Sequence, residues 1–141
     1  MDMMIRYVTK TYKTTSKMDV IDITGDAVAF ISKAAVKDGL LTIIVPGSTA
    51  SITTIEYEPG VVEDLKEALE SIAPAGKKYR HDAAWGDGNG YSHVRAAFMK
   101  PSLSMPILEG RIVLGTWQQI VLCDFDNKSR QRKIVMQIIG A

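Results

Sequence analysis

Residues 119–139 read QIVLCDFDNKSRQRKIVMQII, and this stretch decides the architecture. Two runs of strand character, Gln119 to Phe125 and Lys133 to Ile139, flank a polar segment in which Asp126-Asn127 supplies a turn. Strands joined so closely pair antiparallel, because a parallel pair needs a long crossover. Just upstream, Leu103 to Ile107 and Arg111 to Val113 have the same character. The C-terminal part of the chain therefore predicts a mostly antiparallel sheet.

Toward the N-terminus, strands alternate in pairs with helices. Residues 3–13 mix β-branched and aromatic residues with polar ones, and 19–24 alternate apolar and polar; both read as strands. A helix follows Asp26, its expected N-cap, with Val28, Ile31 and Ala35 at helical spacing and Asp38-Gly39 as the stop. Leu40 to Val45 and Ser48 to Glu56 are strands about Pro46-Gly47. Pro59 suits the first turn of a second helix, whose apolar stripe is Val62, Leu65, Leu69 and Ile72, ended by Pro74-Ala75-Gly76. Residues 79–91 read as a glycine-rich loop, followed by a short helix from Ser92, its expected N-cap, to Met99. Helices that interrupt strand pairs favour an α+β class with two main helices and one short helix. No linker or repeat divides residues 1–141, so one domain is expected.

Composition excludes several classes. Seventeen basic and sixteen acidic residues leave a net charge of +1, so neither nucleic acid nor membrane is an expected partner. The local cluster Lys128, Arg130, Arg132 and Lys133 reads as a solvated turn and strand edge. The single cysteine, Cys123, lies in an apolar run and reads as buried and inert. With no signal-like or bilayer-length apolar stretch, a soluble cytoplasmic protein is expected.

Chemistry concentrates between Tyr79 and Arg95. Both histidines, His81 and His93, bracket Gly86-Asp87-Gly88-Asn89-Gly90. Imidazole binds metal or moves protons, and Asp82 or Asp87 can orient an imidazole or bind a cation. The backbone of Gly86, Gly88, Asn89 and Gly90 can form a concavity for an anion. Arg95 in the first turn of the next helix can grip a phosphate by two bonds. Two readings stay open: a phosphate or carboxylate site, or a tight surface loop with His81 exposed and His93 a cap partner. Two histidines alone do not close a zinc site. Two further groups are candidates for ligand contact. Ser48 and Thr49 follow Pro46-Gly47, where a β-bulge with exposed hydroxyls is the alternative. Trp117 and Gln118 can wall a pocket or sit in a subunit contact. Glu56 is a possible metal ligand or a solvated carboxylate at a helix start.

With these residues in view, the sequence resembles the YjbQ-like family, also labelled the secondary thiamine-phosphate synthase family. The resemblance runs through Pro46-Gly47-Ser48-Thr49-Ala50, Glu56-Tyr57-Glu58-Pro59-Gly60, Trp85-Gly86-Asp87-Gly88-Asn89-Gly90, Ser92-His93-Val94-Arg95-Ala96, Pro101-Ser102-Leu103 and Leu114-Gly115-Thr116-Trp117-Gln118-Gln119-Ile120. It implies a β-sandwich-like α+β domain that forms a homotrimer, and a weak or secondary activity joining a pyrimidine diphosphate to a thiazole phosphate. It also implies a divalent metal, magnesium or zinc, near His81 and His93, which would be ligands or proton donors. Arg95 and the Gly86–Gly90 backbone would then take the anion, with Glu56 and Asp87 as cation partners. The chain departs from the pattern at Gly47 and Tyr91, where many or some members carry histidine. Glu56, Asp87 or water would then complete the metal site. The alternative to catalysis is a trimeric binder of a metal or a phosphorylated metabolite.

Overall fold

A computed structural model describes residues 2–141. Strand β1 (Met4–Lys13) and β2 (Val20–Asp22) precede helix α1 (Thr24–Ala34). Then come β3 (Gly39–Ile44), β4 (Ala50–Ile55) and α2 (Pro59–Ile72). Two helices, α3 (Arg80–Trp85) and α4 (Gly90–Met99), lead to β5 (Ser102–Leu108), β6 (Arg111–Ile112), β7 (Gln119–Asp124) and β8 (Gln131–Gly140). The strands form a five-stranded sheet in the order β1-β8-β3-β5-β6 and a three-stranded sheet in the order β2-β7-β4. Every pairing is antiparallel. The α+β class and the antiparallel sheets agree with the sequence reading. Strands β7 and β8, however, expected to pair across their short turn, lie in different sheets. Strand β7 pairs with β2 and β4, and β8 with β1 and β3, so the turn carries the chain from one sheet to the other.

The alternation of β8 explains the layering. Ile134, Met136 and Ile138 are buried, while Lys133, Gln137 and Ile139 face outward. The buried set meets Leu41 and Ile43 of β3, Ile52 of β4, Ile120 and Leu122 of β7, and Ile31 of α1 in one core between the sheets. Strand β7 is buried on both faces, which is why its sequence is a continuous apolar run. Its other face, Val121 and Cys123, packs with Leu69 of α2 and Ala96 of α4 in a second core. Burial pushes the Cys123 thiol up to about 11, so it stays protonated and inert, as its setting in the sequence suggests.

Helix positions differ from expectation in four ways. Helix α1 starts at Thr24, and Asp26 lies inside its first turn, where it accepts a bond from the Tyr12 hydroxyl. Helix α2 begins at Pro59 as expected, with the Glu58 carboxylate accepting from the Gly60 and Val61 amides. Ile72, read as part of its stripe, is 53% exposed because α2 ends there beyond the edge of the sheet core. Residues 80–85, read as loop, are helical, so there are four helices rather than three. Ser92 sits two residues inside α4, whose N-cap position is Asn89.

Where β3 meets β8, Gly39 pairs with Gly140. A Cβ on Gly140 would stand 2.4 Å from the Asp38 carbonyl oxygen, and one on Gly39 would stand 2.4 Å from that of Ile139. Only two glycines permit this approach. Gly140→Ala is expected to cost about 1–3 kcal/mol by overpacking against rigid backbone, measured as a fall in the denaturant midpoint at constant slope.

Candidate functional site

The site begins with how α3 and α4 are joined. Gly86 ends α3 in the left-handed conformation (φ 66°), its amide donating to the Asp82 carbonyl at 2.6 Å. Gly88 turns the chain again with φ 63°. A Cβ on Gly90 would stand 2.5 Å from Tyr79 Cβ, so the start of α4 lies directly against the start of α3. The Asp82 carboxylate locks this contact by accepting from the Gly90 amide at 2.9 Å. The glycines thus serve a tight helix–helix corner.

That corner brings the two histidines together. The His81 and His93 ring centroids are 4.3 Å apart, tilted by 47°. His81 Nε2 lies 3.3 Å from Asp87 Oδ2. Donor atoms of His81, Asp87 and His93 all lie within 4.8 Å of one another, with both imidazoles partly exposed and the carboxylate exposed. Burial raises the Asp87 carboxyl, but the Asn89 amide and the His81 ring outweigh it and hold the group below the ordinary carboxylate range. Asp87 is therefore an anion at neutral pH.

The turn between β7 and β8 fixes the other side of the loop. Asn127 donates its side-chain amide to the Asp87 carbonyl at 2.9 Å, and its backbone amide to Asn89 Oδ1 at 3.2 Å. Behind it lies a buried ion network. Arg132 donates to Asp124 through Nε and Nη2, both at 2.9 Å, and through Nη2 to Thr49 Oγ1 at 2.6 Å. Thr49 donates to Asp126 at 2.9 Å, and Arg130 donates to Asp126 at 3.1 Å. Burial works against the Asp126 anion, but the Thr49 hydroxyl, the Lys128 amide and Arg130 overcome it and hold its carboxyl low. The basic cluster read as solvated is thus partly structural, with Arg132 only 8% exposed.

Several expected site residues fall elsewhere. Arg95 is 4% exposed and committed to the protein. Its Nε donates to the Ala73 carbonyl at 3.0 Å, its Nη2 pairs with Glu70 at 2.5 Å, and its guanidinium covers the Tyr91 ring at 4.8 Å. The physical reason is helical geometry: His93 and Arg95 are two residues apart, about 200° around α4. Arg95 is therefore not the anion grip. Nor is the Gly86–Gly90 backbone an open cradle, since the amides of Gly86, Asn89 and Gly90 already donate to Asp82 and Asp87. Glu56 contributes no donor to the cluster and is exposed at the corner between β4 and α2. Trp117 is 74% exposed, and Gln118 bonds the Gly115 amide and Thr54. Gln118 lines a separate cleft of about 380 Å³ beside Thr24 and Val28 of α1. Thr49 is buried in the ion network, and Ser48 is exposed beside it. An open apolar groove of about 510 Å³ begins at His93 and runs past Val94, Ala97 and Phe98 to Lys100; the sequence reading missed it because its residues are spaced as an ordinary helix face.

Comparison with known proteins identifies the family. The profile of the family described as UPF0047 protein YjbQ-like matches residues 8–141. The chain belongs to the YjbQ-like UPF0047 family. A UPF0047 protein of Archaeoglobus fulgidus is 34% identical over 125 residues, covering 89% of this chain and 95% of that one. The UPF0047 protein YugU of Bacillus subtilis is 31% identical over 91% of this chain and 95% of its own length. A YbjQ-like protein of unknown function from Sulfolobus solfataricus superposes with a TM-score of 0.94 at 28% identity, covering 99% of this chain and all of that one. The fold and family implied by the sequence motifs are therefore correct.

If Arg95 serves packing, its removal acts on stability alone. Arg95→Ala is expected to lower unfolding free energy by about 1–3 kcal/mol, through lost charged hydrogen bonds and the orphaned Ala73 carbonyl, while metal titrations of the folded variant match wild type.

Proposed function

We propose that the chain binds a divalent transition metal on His81, Asp87 and His93 and uses that centre to hold a phosphorylated small molecule. The convergence of three donors within 4.8 Å at a solvent-facing corner carries this reading. Ligands on a tetrahedral zinc stand roughly 3.4 Å apart, from bonds of about 2.1 Å. The triad thus closes on an ion with a contraction of about 1.4 Å at its widest, within reach of imidazole rotation. Two imidazoles with one carboxylate suit zinc or a neighbouring first-row metal better than magnesium, which prefers all-oxygen sites. Three protein ligands leave a position for an exogenous group, as in sites that act on substrates. Asn127 and Asn89 hold the Asp87 loop, the kind of support that keeps a ligand oriented.

The reaction that the family resemblance brings to such a centre is of the thiamine-phosphate synthase type. A thiazole nitrogen forms a bond to the pyrimidine methylene carbon as the carbon–oxygen bond to pyrophosphate breaks. A bound metal supplies charge neutralisation for an anionic leaving group. His81 and His93 would hold the metal, and the apolar groove beginning at His93 offers a surface for a flat ring. The non-catalytic alternative, a metal and phosphometabolite binder, uses the same residues and differs only in turnover. After chelator treatment, the wild-type chain is expected to take up one zinc or manganese ion per chain. His93→Ala and Asp87→Ala should each lose more than the roughly 10–100-fold in affinity that follows removal of a residue supporting a ligand. Product formation from the two precursors that His93→Ala abolishes would establish the transferase. Metal uptake without product would favour the binder, and no metal uptake would defeat both.

The partner we propose is the chain itself, as a homotrimer. The outer face of the five-stranded sheet carries Ile5, Ile139 and Leu40 directly across from one another on three strands, with Tyr7 in the next row beside Ile5, all exposed in the single chain. A contiguous apolar row of this kind marks an interaction surface. Tyr7→Glu with Ile139→Asp is expected to reduce the mass in light scattering from three chains to one; an unchanged mass would place the contact elsewhere.

A further inference from the structure

We infer that the Pro46–Thr49 loop is a second, anion-binding subsite, built on Arg132, that takes a phosphate group. Arg132 is 8% exposed, with Nε and Nη2 committed to Asp124 and Thr49. Its Nη1 alone has no protein acceptor among the described residues. That atom faces Gly47: a Cβ built there would meet Arg132 Nη1 first, at 3.3 Å. Gly47 has φ 127°, and the absence of a side chain leaves the guanidinium edge open to the surface.

The loop adds donors. Among the described residues, the backbone amides of Gly47, Ser48 and Thr49 donate to no protein acceptor, although the Thr49 carbonyl accepts from Phe125. Three successive free amides in a turn form an anion-binding concavity. In the Gly86–Gly90 loop, by contrast, the Asn89 and Gly90 amides already donate to the Asp87 and Asp82 carboxylates, and the Gly86 amide to the Asp82 carbonyl. The exposed Ser48 hydroxyl has no partner either. The surrounding charge also suits an anion, since residues 124–133 hold four cations against two carboxylates, and both carboxylates are paired. A guanidinium edge with fixed amides recognises a phosphate geometrically as well as by charge.

The subsite and the triad share one support. Thr49 bonds Asp126 at the start of the β7–β8 turn, and the next residue, Asn127, holds the Asp87 loop. A phosphorylated small molecule thus has one fixed point at Arg132 and, resting on the reading above, a second at the metal.

The test is an amide-resolved NMR titration of the metal-free chain with inorganic phosphate and pyrophosphate, beside a separate zinc titration. Saturable shifts of the Gly47, Ser48 and Thr49 amides are expected with at least one of the two anions. Tighter pyrophosphate binding assigns a diphosphate, and tighter phosphate binding a monoester. Because Arg132 also pairs with Asp124, Ser48→Asp at an exposed position is the deciding variant; it should keep the fold and weaken anion binding at least about tenfold, the equivalent of 1.4 kcal/mol. Anion shifts confined to other residues, or an unchanged affinity in Ser48→Asp, would overturn the subsite. Zinc binding at the triad in a chain whose loop amides do not respond to either anion would do the same while leaving the metal reading intact.

Discussion

The corner where the chain passes between its two sheets rests on a buried charge network. Asp124 ends β7 in the three-stranded sheet, Arg132 begins β8 in the five-stranded one, and Thr49 lies on the connection from β3 to β4. Two of the crossings between sheets, β3 to β4 and β7 to β8, therefore meet at the same guanidinium. Charges taken out of water at such a place are costly unless every partner is present, and loss of one member leaves the others stranded. The bidentate Asp124–Arg132 pair, with Thr49 bridging to Asp126, satisfies that demand. Its consequence is geometric specificity: the β7–β8 turn can occupy one position, and Asn127 within it reaches the Asp87 loop.

The functional corner is thus assembled from three segments remote in sequence. Helix α3, the α3–α4 turn and α4 supply His81, Asp87 and His93 as one segment; the β7–β8 turn holds it; the β3–β4 connection lies against the same network. The helices alone do not specify where the triad sits. Asp82 and the Gly90–Tyr79 contact fix the angle between α3 and α4, while Asn127 fixes the loop that joins them. Stiffness of this kind suits a ligand set whose donors must stay within a fraction of an ångström of a common centre.

Much of this was legible in the sequence because burial imposes periodicity. The alternation in β8 and the continuous run in β7 reported one-sided and two-sided burial, and Pro59 marked the start of α2. The site segment was legible from its density of histidine, aspartate and glycine, and the family motifs gave the fold. Three things were not. Helix α3 is one and a half turns long, too short for a periodic signal, and its neighbours are glycines that favour a loop reading. Arg95 and Arg132 were each misplaced: proximity in sequence put Arg95 with the histidines, but two residues along a helix is nearly a half-turn, and the side chain faces Glu70 instead. Arg132 stood in a polar run that resembled a solvated turn, and only its long-range partners Asp124 and Thr49 show it to be buried.

The contrast between these two buried arginines bears on how an anion would be recognised here. A guanidinium useful to a ligand must be held by the protein without being exhausted by it. Arg95 fails the second condition, since its donors are spread over Ala73, Glu70 and the Met18 sulfur and its face is closed by Tyr91. Arg132 meets both: two of its nitrogens are anchored to buried partners, and the third stands at the surface beneath a residue with no side chain. Any side chain at position 47 would place a Cβ 3.3 Å from that nitrogen. Glycine in this chain instead leaves the guanidinium edge uncovered, so the same loop can present a fixed cation to solvent. The proposed subsite therefore depends on Gly47 as much as on Arg132.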